Sequence, residues 1–326
     1  MPTTAASERS FRRAVEHLLS RARGQPVTVA TLLREPSPFA TVFPAEVLSA
    51  TLSDGQATRL FVKHLGPEQA DHPEKQRRDR EIRIYEELLD VADLPVARLY
   101  GCTWNEVSGR HELFLEYIDD WSLKYQELRY WFDAARCLAR LHAHFAAQAD
   151  RLARYDYLLH FDATYFCDWA DRALAATREE STALATELKS VVREYEPVAR
   201  LLAGQPVTLV HNDLAPKNVL VDRSVEPSRI CFVDWEMAGV GCGLLDLVDL
   251  KYGLDAESDK RMRVAYCEEL NGTGLLPSVP DDRRRLFAAC ELHKTLYRLA
   301  FGRSWGVPGE RLAQWVADAV RHRANI

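Results

Sequence analysis

The stretch "LVHNDLAPKNVLVD", Leu209–Asp222, decides how the rest of the chain is read. It opens on an apolar run, breaks into a polar turn, and returns to an apolar run at Val219-Leu220-Val221. Short apolar runs on either side of a turn read as buried strands. The turn holds His211, Asn212, Asp213, Lys217 and Asn218. A second acidic turn follows in "ICFVDWEMAGVG", where Asp234 comes sixteen residues after Asn218 and directly after the apolar run Ile230–Val233. Two adjacent strands would bring Asp213, Asn218 and Asp234 to one rim. Such oxygen donors suit a hard cation that keeps several waters, so Asn218 and Asp234 are the expected ligands of Mg²⁺ on nucleotide phosphates. Asp213, with no metal to hold, faces an acceptor hydroxyl in this reading. Turn formation alone accounts for any one of these Asx residues, but not for the ordered set.

The bulk properties exclude other classes. A net charge of −6 gives no electrostatic case for a nucleic-acid partner. No apolar run reaches the length of a membrane span. The N-terminus, "MPTTAASERSFRRAVEHLL", lacks the charged start and apolar core of a secretory signal and reads as a polar tail before an amphipathic helix. Seven cysteines are irregularly spaced without a CxxC pair, which argues for buried thiols in a reducing compartment rather than zinc. The expectation is a cytoplasmic protein.

Two textures divide the chain. From about Pro26 to Tyr117 it is mostly strand-like, with "EVLSATLSDGQATRLFVKHL" a hairpin across Asp54-Gly55 and "VARLYGCTW" and "RHELFLEYI" a further pair. "HPEKQRRDREIRIYEELLDVA" reads as one helix within that region. From Asp119 onward the chain is mainly helical, and "WADRALAATREESTALATELKSVVREYEPVARLLA" suits one or two helices. The predicted architecture is α+β: a small antiparallel-sheet lobe over residues 1–116, a connector near Glu116-Tyr117-Ile118, and a larger helical lobe over 117–326. A cleft between two lobes is a common place for a ligand.

"HNDLAPKN" followed by "VDWE" resembles the catalytic loop and metal motif of the aminoglycoside phosphotransferase and choline kinase superfamily, whose members share a protein-kinase-like fold. The family pattern, HxDxxxxN and then an Asp opening a DxE or DxG triplet, is matched at His211, Asp213, Asn218 and Asp234. "RLFVKHL" places Lys63 where the family has the lysine on the α/β-phosphates, and "REIRIYEELL" places Glu81 where its helix glutamate pairs with that lysine. "LFLEYI", with Glu116 and Ile118, resembles the connector whose backbone meets the adenine. "GVGCGLLDLVDL" puts Asp246 where an acid braces the catalytic loop. The resemblance spans roughly Val27 to Leu250. It implies ATP (or GTP) and Mg²⁺ as cofactors, Asp213 as base, Asn218 and Asp234 as metal ligands, and His211 as a loop-orienting residue. General-base help of this kind is worth about 10²–10⁴-fold.

The chain departs from the family in two places. Lys217 replaces the more usual small residue before the metal asparagine, where it either reaches the transferred phosphate or stays solvated. "REPSPFATVFPAEV" occupies the place of a phosphate-covering loop but holds no glycine and carries prolines at 36, 38 and 44, leaving Ser37 or Thr41 as hydroxyl donors. Glu236 either helps hold the metal through water or faces solvent. For the acceptor, "HFDATYFCDWADRA" offers Asp162, Tyr165, Asp168, Trp169 and Asp171, and "LLDLVDLKYGLDAESD" offers Asp249, Tyr252, Asp255 and Glu257. Acids beside aromatics suit a cationic or sugar-like alcohol as well as an ordinary helix surface. The leading expectation is therefore an ATP-dependent small-molecule kinase acting on an aminoglycoside-like antibiotic, with antibiotic resistance its implied role, or on another amino or sugar alcohol. A choline/ethanolamine- or sugar-type kinase and a non-catalytic nucleotide-binding pseudokinase are the alternatives. A protein kinase is disfavoured, because no DFG or APE is present and Asp234 and Asp246 leave little room for an activation segment.

Overall fold

The structure, a computed structural model, describes residues 5–38, 43–66, 73–91, 93–106, 108–119 and 122–326. Its contacts divide the chain into two compact units, Met1–Asp120 with Leu220–Glu236, and Trp121–Val219 with Met237–Ile326. Asp234 thus groups with the first unit, although it lies far along the chain.

The first unit begins with helix α1 (Ala5–Arg23), followed by strands β1 (Val29–Pro36), β2 (Ala45–Leu52) and β3 (Ala57–Leu65). Helix α2 (Arg80–Ile84) comes next, widening into a π turn over Tyr85–Leu89, then β4 (Leu99–Asn105) and β5 (Arg110–Glu116). The five strands form one antiparallel sheet in the order β1-β2-β3-β5-β4. The β2–β3 hairpin closes where expected, with Gly55 at φ +83°, a left-handed conformation that glycine takes without penalty. Strand side chains alternate between faces. Leu48, Ala50 and Leu52 of β2 and Leu60 and Val62 of β3 therefore share one face, and they form a core with Phe11, Val15, Leu18 and Leu19 of α1. Lys63, one residue on from Val62, points from the opposite face. At Gly101 a Cβ would sit 2.5 Å from Leu18 Cδ2, so the glycine lets the Leu18 side chain of α1 pack directly on that strand.

The segment read as one helix from His72 is helical only from Arg80, preceded by a single turn at Pro73–Lys75. Tertiary hydrogen bonds explain the difference. The buried Arg80 guanidinium donates to the carbonyl of Glu74 and, at 2.8 Å, to the carbonyl of Glu236. Side-chain bonds of that kind outcompete helical propensity, which is a weak local preference.

The chain continues through α3 (Leu128–Ala146), α4 (Ala149–Leu152), β6 (Leu159–His160), α5 (Ala163–Glu180), α6 (Thr182–Arg193), α7 (Glu196–Ala203) and β7 (Val207–Val210). Three helices stand where one or two were expected over residues 163–203. Ser181 both ends α5 and caps α6 by accepting from Leu184 N at 3.3 Å, and Pro197 sits in the first turn of α7. Strands β8 (Val219–Asp222) and β9 (Arg229–Phe232) pair as a ribbon, and Phe232 N donates to Pro95 O at 2.7 Å within the first unit. In the second unit, β10 (Gly239–Cys242) lies between β6 and β7. Helices α8 (Leu244–Leu250), α9 (Ala256–Glu269), α10 (Pro280–Phe301) and α11 (Gly309–Arg323) complete the chain. Gly253 at φ +97° and the Asp255 side chain, which accepts from Glu257 N and Ser258 N, separate α8 from α9. No helix among the described residues is long and apolar enough to cross a membrane.

Candidate active site

In the first unit, strand β3 and helix α2 bring Lys63 and Glu81 together, with Lys63 Nζ donating to Glu81 Oε2 at 2.7 Å. The same ammonium pairs with Asp234 Oδ1 and reaches Glu236 Oε2 at 3.2 Å. Asp234 follows β9 and holds φ at +72°, a left-handed conformation rare outside glycine. The next backbone amide, Trp235 N, donates to Glu81 Oε1 at 3.2 Å, so the turn is fastened to α2. Glu81, Asp234 and Glu236 each offer a carboxylate oxygen within 4.8 Å of the others. Like charges this close oppose joint ionisation. Burial pushes the Glu81 carboxyl up to about 7, against the pull of Lys63. Burial also works against the charge on Lys63, yet Asp234, Glu81 and Glu236 hold its pKa well above the usual lysine value. Glu236 does not face solvent: it is 6 % exposed, and its second oxygen, Oε1, pairs with Lys75. The hard oxygen donors of this group fit a divalent cation.

In the second unit, the catalytic-loop candidates sit between β7 and β8 on a buried scaffold. Asp246, in the first turn of α8, is fully buried, and its two oxygens accept from His211 N at 2.7 Å and Asn212 N at 2.8 Å. His142 Nε2 lies 3.3 Å from Asp246 Oδ2, and its other ring nitrogen is 2.7 Å from the Tyr266 hydroxyl. A Cβ at Gly243 would come within 2.6 Å of His142 Nδ1, so the glycine admits that ring. Burial raises the Asp246 pKa, but His142 above all, with His211 and Lys294, holds the carboxyl below its usual range.

Asn212 acquires a role here. Its φ of +67° turns the chain sharply, in a conformation that Asn tolerates better than most residues. Lys294 of α10, itself 2 % exposed, clamps it by donating to Asn212 O and Oδ1, both at 3.0 Å. The charge of Lys294 is met by Asp249 Oδ2 at 2.6 Å. Asp213 N then donates to His211 Nδ1 at 3.3 Å, so that ring nitrogen is the acceptor and His211 holds the turn. Asn218 Nδ2 donates to Asp213 O at 2.7 Å and to Asp213 Oδ2 at 3.1 Å. The orientation leaves Asn218 Oδ1, an oxygen suited to a hard cation, without a partner among the described residues. Lys217 Nζ stands 3.5 Å from Asp213 Oδ2 with its side chain 58 % exposed. Asp213 Oδ1 has no partner among the described residues.

The remaining candidates are less assembled. Glu116 takes Arg229 NH2 at 2.5 Å and Arg98 N at 3.1 Å, and Ile118 is buried. Ser37 is buried, and Thr41 lies outside the described residues. Several acceptor candidates have structural work: Asp162 and Asp255 cap helices, and Asp249 pairs with Lys294 and Arg298. Arg298 covers the Tyr252 ring at 4.6 Å. Asp168, Asp171 and Glu257 are exposed. Tyr165 stays near the loop, its hydroxyl 3.4 Å from Asn212 Nδ2, and Trp169 is buried against Tyr297 at 4.5 Å between ring centroids. Sequence reasoning missed His142, Lys294, Lys75 and Arg80. Each is an unremarkable helix or turn residue by local pattern.

The chain belongs to the phosphotransferase enzyme family, whose model matches residues 48–286. Its fold is that of several solved small-molecule kinases. A microcompartment-associated aminopropanol kinase aligns with a TM-score of 0.59 at 16 % identity, covering 95 % of each chain. Choline kinase LicA from Streptococcus pneumoniae aligns at 0.56 and 14 % identity over 97 % of this chain and 100 % of that one. The GDP complex of an aminoglycoside 2'-phosphotransferase-IIIa variant aligns at 0.61 and 11 % identity over 96 % and 98 %. No curated protein sequence matches the chain.

Proposed function

We propose that the protein transfers the γ-phosphoryl group of ATP or GTP to a hydroxyl of a small molecule. The observation that carries this reading is Asp213, with Oδ2 tied to Asn218 and Oδ1 unpartnered among the described residues, on a loop whose two preceding amides are held by Asp246. Membership of the phosphotransferase family supports it. In the reaction the acceptor oxygen bonds to the γ-phosphorus, the bond to the β-phosphate oxygen breaks, and the hydroxyl proton passes to Asp213. Phosphoryl transfer asks the protein mainly for positioning and charge. Lys63 supplies charge against the α/β-phosphates, Glu81 orients it, and the backbone near Glu116 and Ile118 meets the base. Asn218 and Asp234 would hold Mg²⁺, which when bound would neutralise charge on the phosphate oxygens. His211, Lys217 and Asp246 support the loop.

The acceptor we infer is a hydroxyl-bearing amine, the class that aminopropanol, choline and aminoglycosides share. The acidic net charge agrees with it. Against a non-catalytic role we weigh the Lys63–Glu81 ion pair at 2.7 Å and the Asn218–Asp213 bond at 2.7 Å. The direct assay is nucleoside-diphosphate release over a panel of aminoglycosides, amino alcohols, sugars and nucleosides. A binding measurement accompanies it. Nucleotide with Mg²⁺ at a hundredfold excess over Kd stabilises the folded protein by about 2.7 kcal/mol. In Asp234→Ala the Mg²⁺-dependent part of that thermal shift disappears; a shift as large as wild type would remove Asp234 from the metal site.

A further inference from the structure

We propose that Lys75 is a second cation of the nucleotide-phosphate site, parked on Glu236 until a divalent ion takes that carboxylate. The proposal rests on the function above. It begins with how Lys75 is placed. The turn Pro73–Lys75 is not a free loop: Arg80, 5 % exposed, bonds the carbonyls of Glu74 and Glu236 with one guanidinium nitrogen. That staple sets Lys75 against the turn that carries Asp234 and Glu236. The Lys75 side chain is only 13 % exposed, and lysines are seldom buried without a partner.

Its partner belongs to the acidic group. Glu236 Oε1 pairs with Lys75 and Oε2 with Lys63, so both oxygens are occupied by ammonium groups. Three clustered carboxylates are thus met by two lysines. A divalent ion held at Asp234 and taking up Glu236 would bring two positive charges into the same space, and positive charge is then in excess. Lys63 keeps Glu81 at 2.7 Å. Glu236 is the one ion-pair partner of Lys75 among the described residues, so Lys75 is the group released. The phosphates arriving with the ion are a new anionic partner for it, and a lysine serves such a role as a mobile point charge.

Lys75 therefore competes with the metal for Glu236 when no nucleotide is present and aids the nucleotide when it is. The test uses the full chain with Lys75→Met, Lys75→Gln and Lys75→Arg. The probes are Mn²⁺ alone, followed by electron paramagnetic resonance, and calorimetric binding of adenosine or guanosine and of the matching non-hydrolysable triphosphate with Mg²⁺. In Met and Gln variants the triphosphate binds about tenfold more weakly, the nucleoside binds as to wild type, and Mn²⁺ alone binds several-fold tighter. The Arg variant restores triphosphate affinity. Unchanged triphosphate affinity in both Met and Gln variants, or Mn²⁺ binding that weakens, overturns the inference and leaves the kinase reading standing. A wild-type protein that binds neither Mn²⁺ nor triphosphate overturns both.

Discussion

Asp213→Asn lowers kcat by about 10²–10⁴-fold while nucleotide affinity stays within a few-fold of wild type. The substitution keeps the size of the side chain and removes its capacity to take a proton. The loop has reason to survive it. The Asn218 bond to the main-chain oxygen of residue 213, at 2.7 Å, does not involve the carboxylate, and neither does the 213 amide bond to His211. Asp246 and Lys294 hold the preceding two residues from elsewhere in the second unit. The measurement is turnover with the best acceptor of the panel, alongside calorimetric nucleotide binding. Wild-type turnover in the variant would sink the base assignment, and parallel loss of nucleotide binding would turn the residue into a structural one.

Asp246→Ala has the largest expected effect on stability. The carboxylate is fully buried and satisfies two successive backbone amides and a histidine. Removing one side of a buried charged arrangement costs roughly 3–5 kcal/mol, because the donors left behind cannot reach water. Domains are typically stable by only about 5–15 kcal/mol, so the second unit should be close to unfolding. Denaturant melting followed by tryptophan fluorescence reads this out. The pH dependence follows from the lowered pKa: burial pushes it up, and His142, His211 and Lys294 together pull it below the usual range. A carboxyl depressed in the folded state contributes stability that is complete above its unfolded value of about 3.9 and is lost as pH falls toward the folded one. Asp246→Asn should flatten that acid limb. An acid-melting curve identical to wild type would contradict the charge-based account.

Much of the candidate site was legible because its letters are close in sequence. His211, Asp213 and Asn218 occupy one turn, and their spacing is set by the turn itself. Lys63 and Glu81 sit on a strand and a helix whose periodicity is local, and the structure brings them into one ion pair. The hairpin at Asp54-Gly55 was visible for the same reason. Helix boundaries were less so. The segment from His72 has helical spacing, but Arg80 draws its backbone toward Glu236 instead. Asp249, weighed as an acceptor contact, is engaged by Lys294 and Arg298. Glu236, open between solvent and metal in the sequence, is buried by two lysines.

The sequence by itself determined the order of polar and apolar runs, the turn chemistry and the family pattern, all of which depend on neighbours a few residues apart. Only the tertiary structure decided what Asn212 and Lys75 pair with. Asn212 meets Lys294 across 82 residues and Lys75 meets Glu236 across 161. No local period encodes such a pairing. It arises when burial removes water from a charge, and the nearest opposite charge in space becomes the least costly partner.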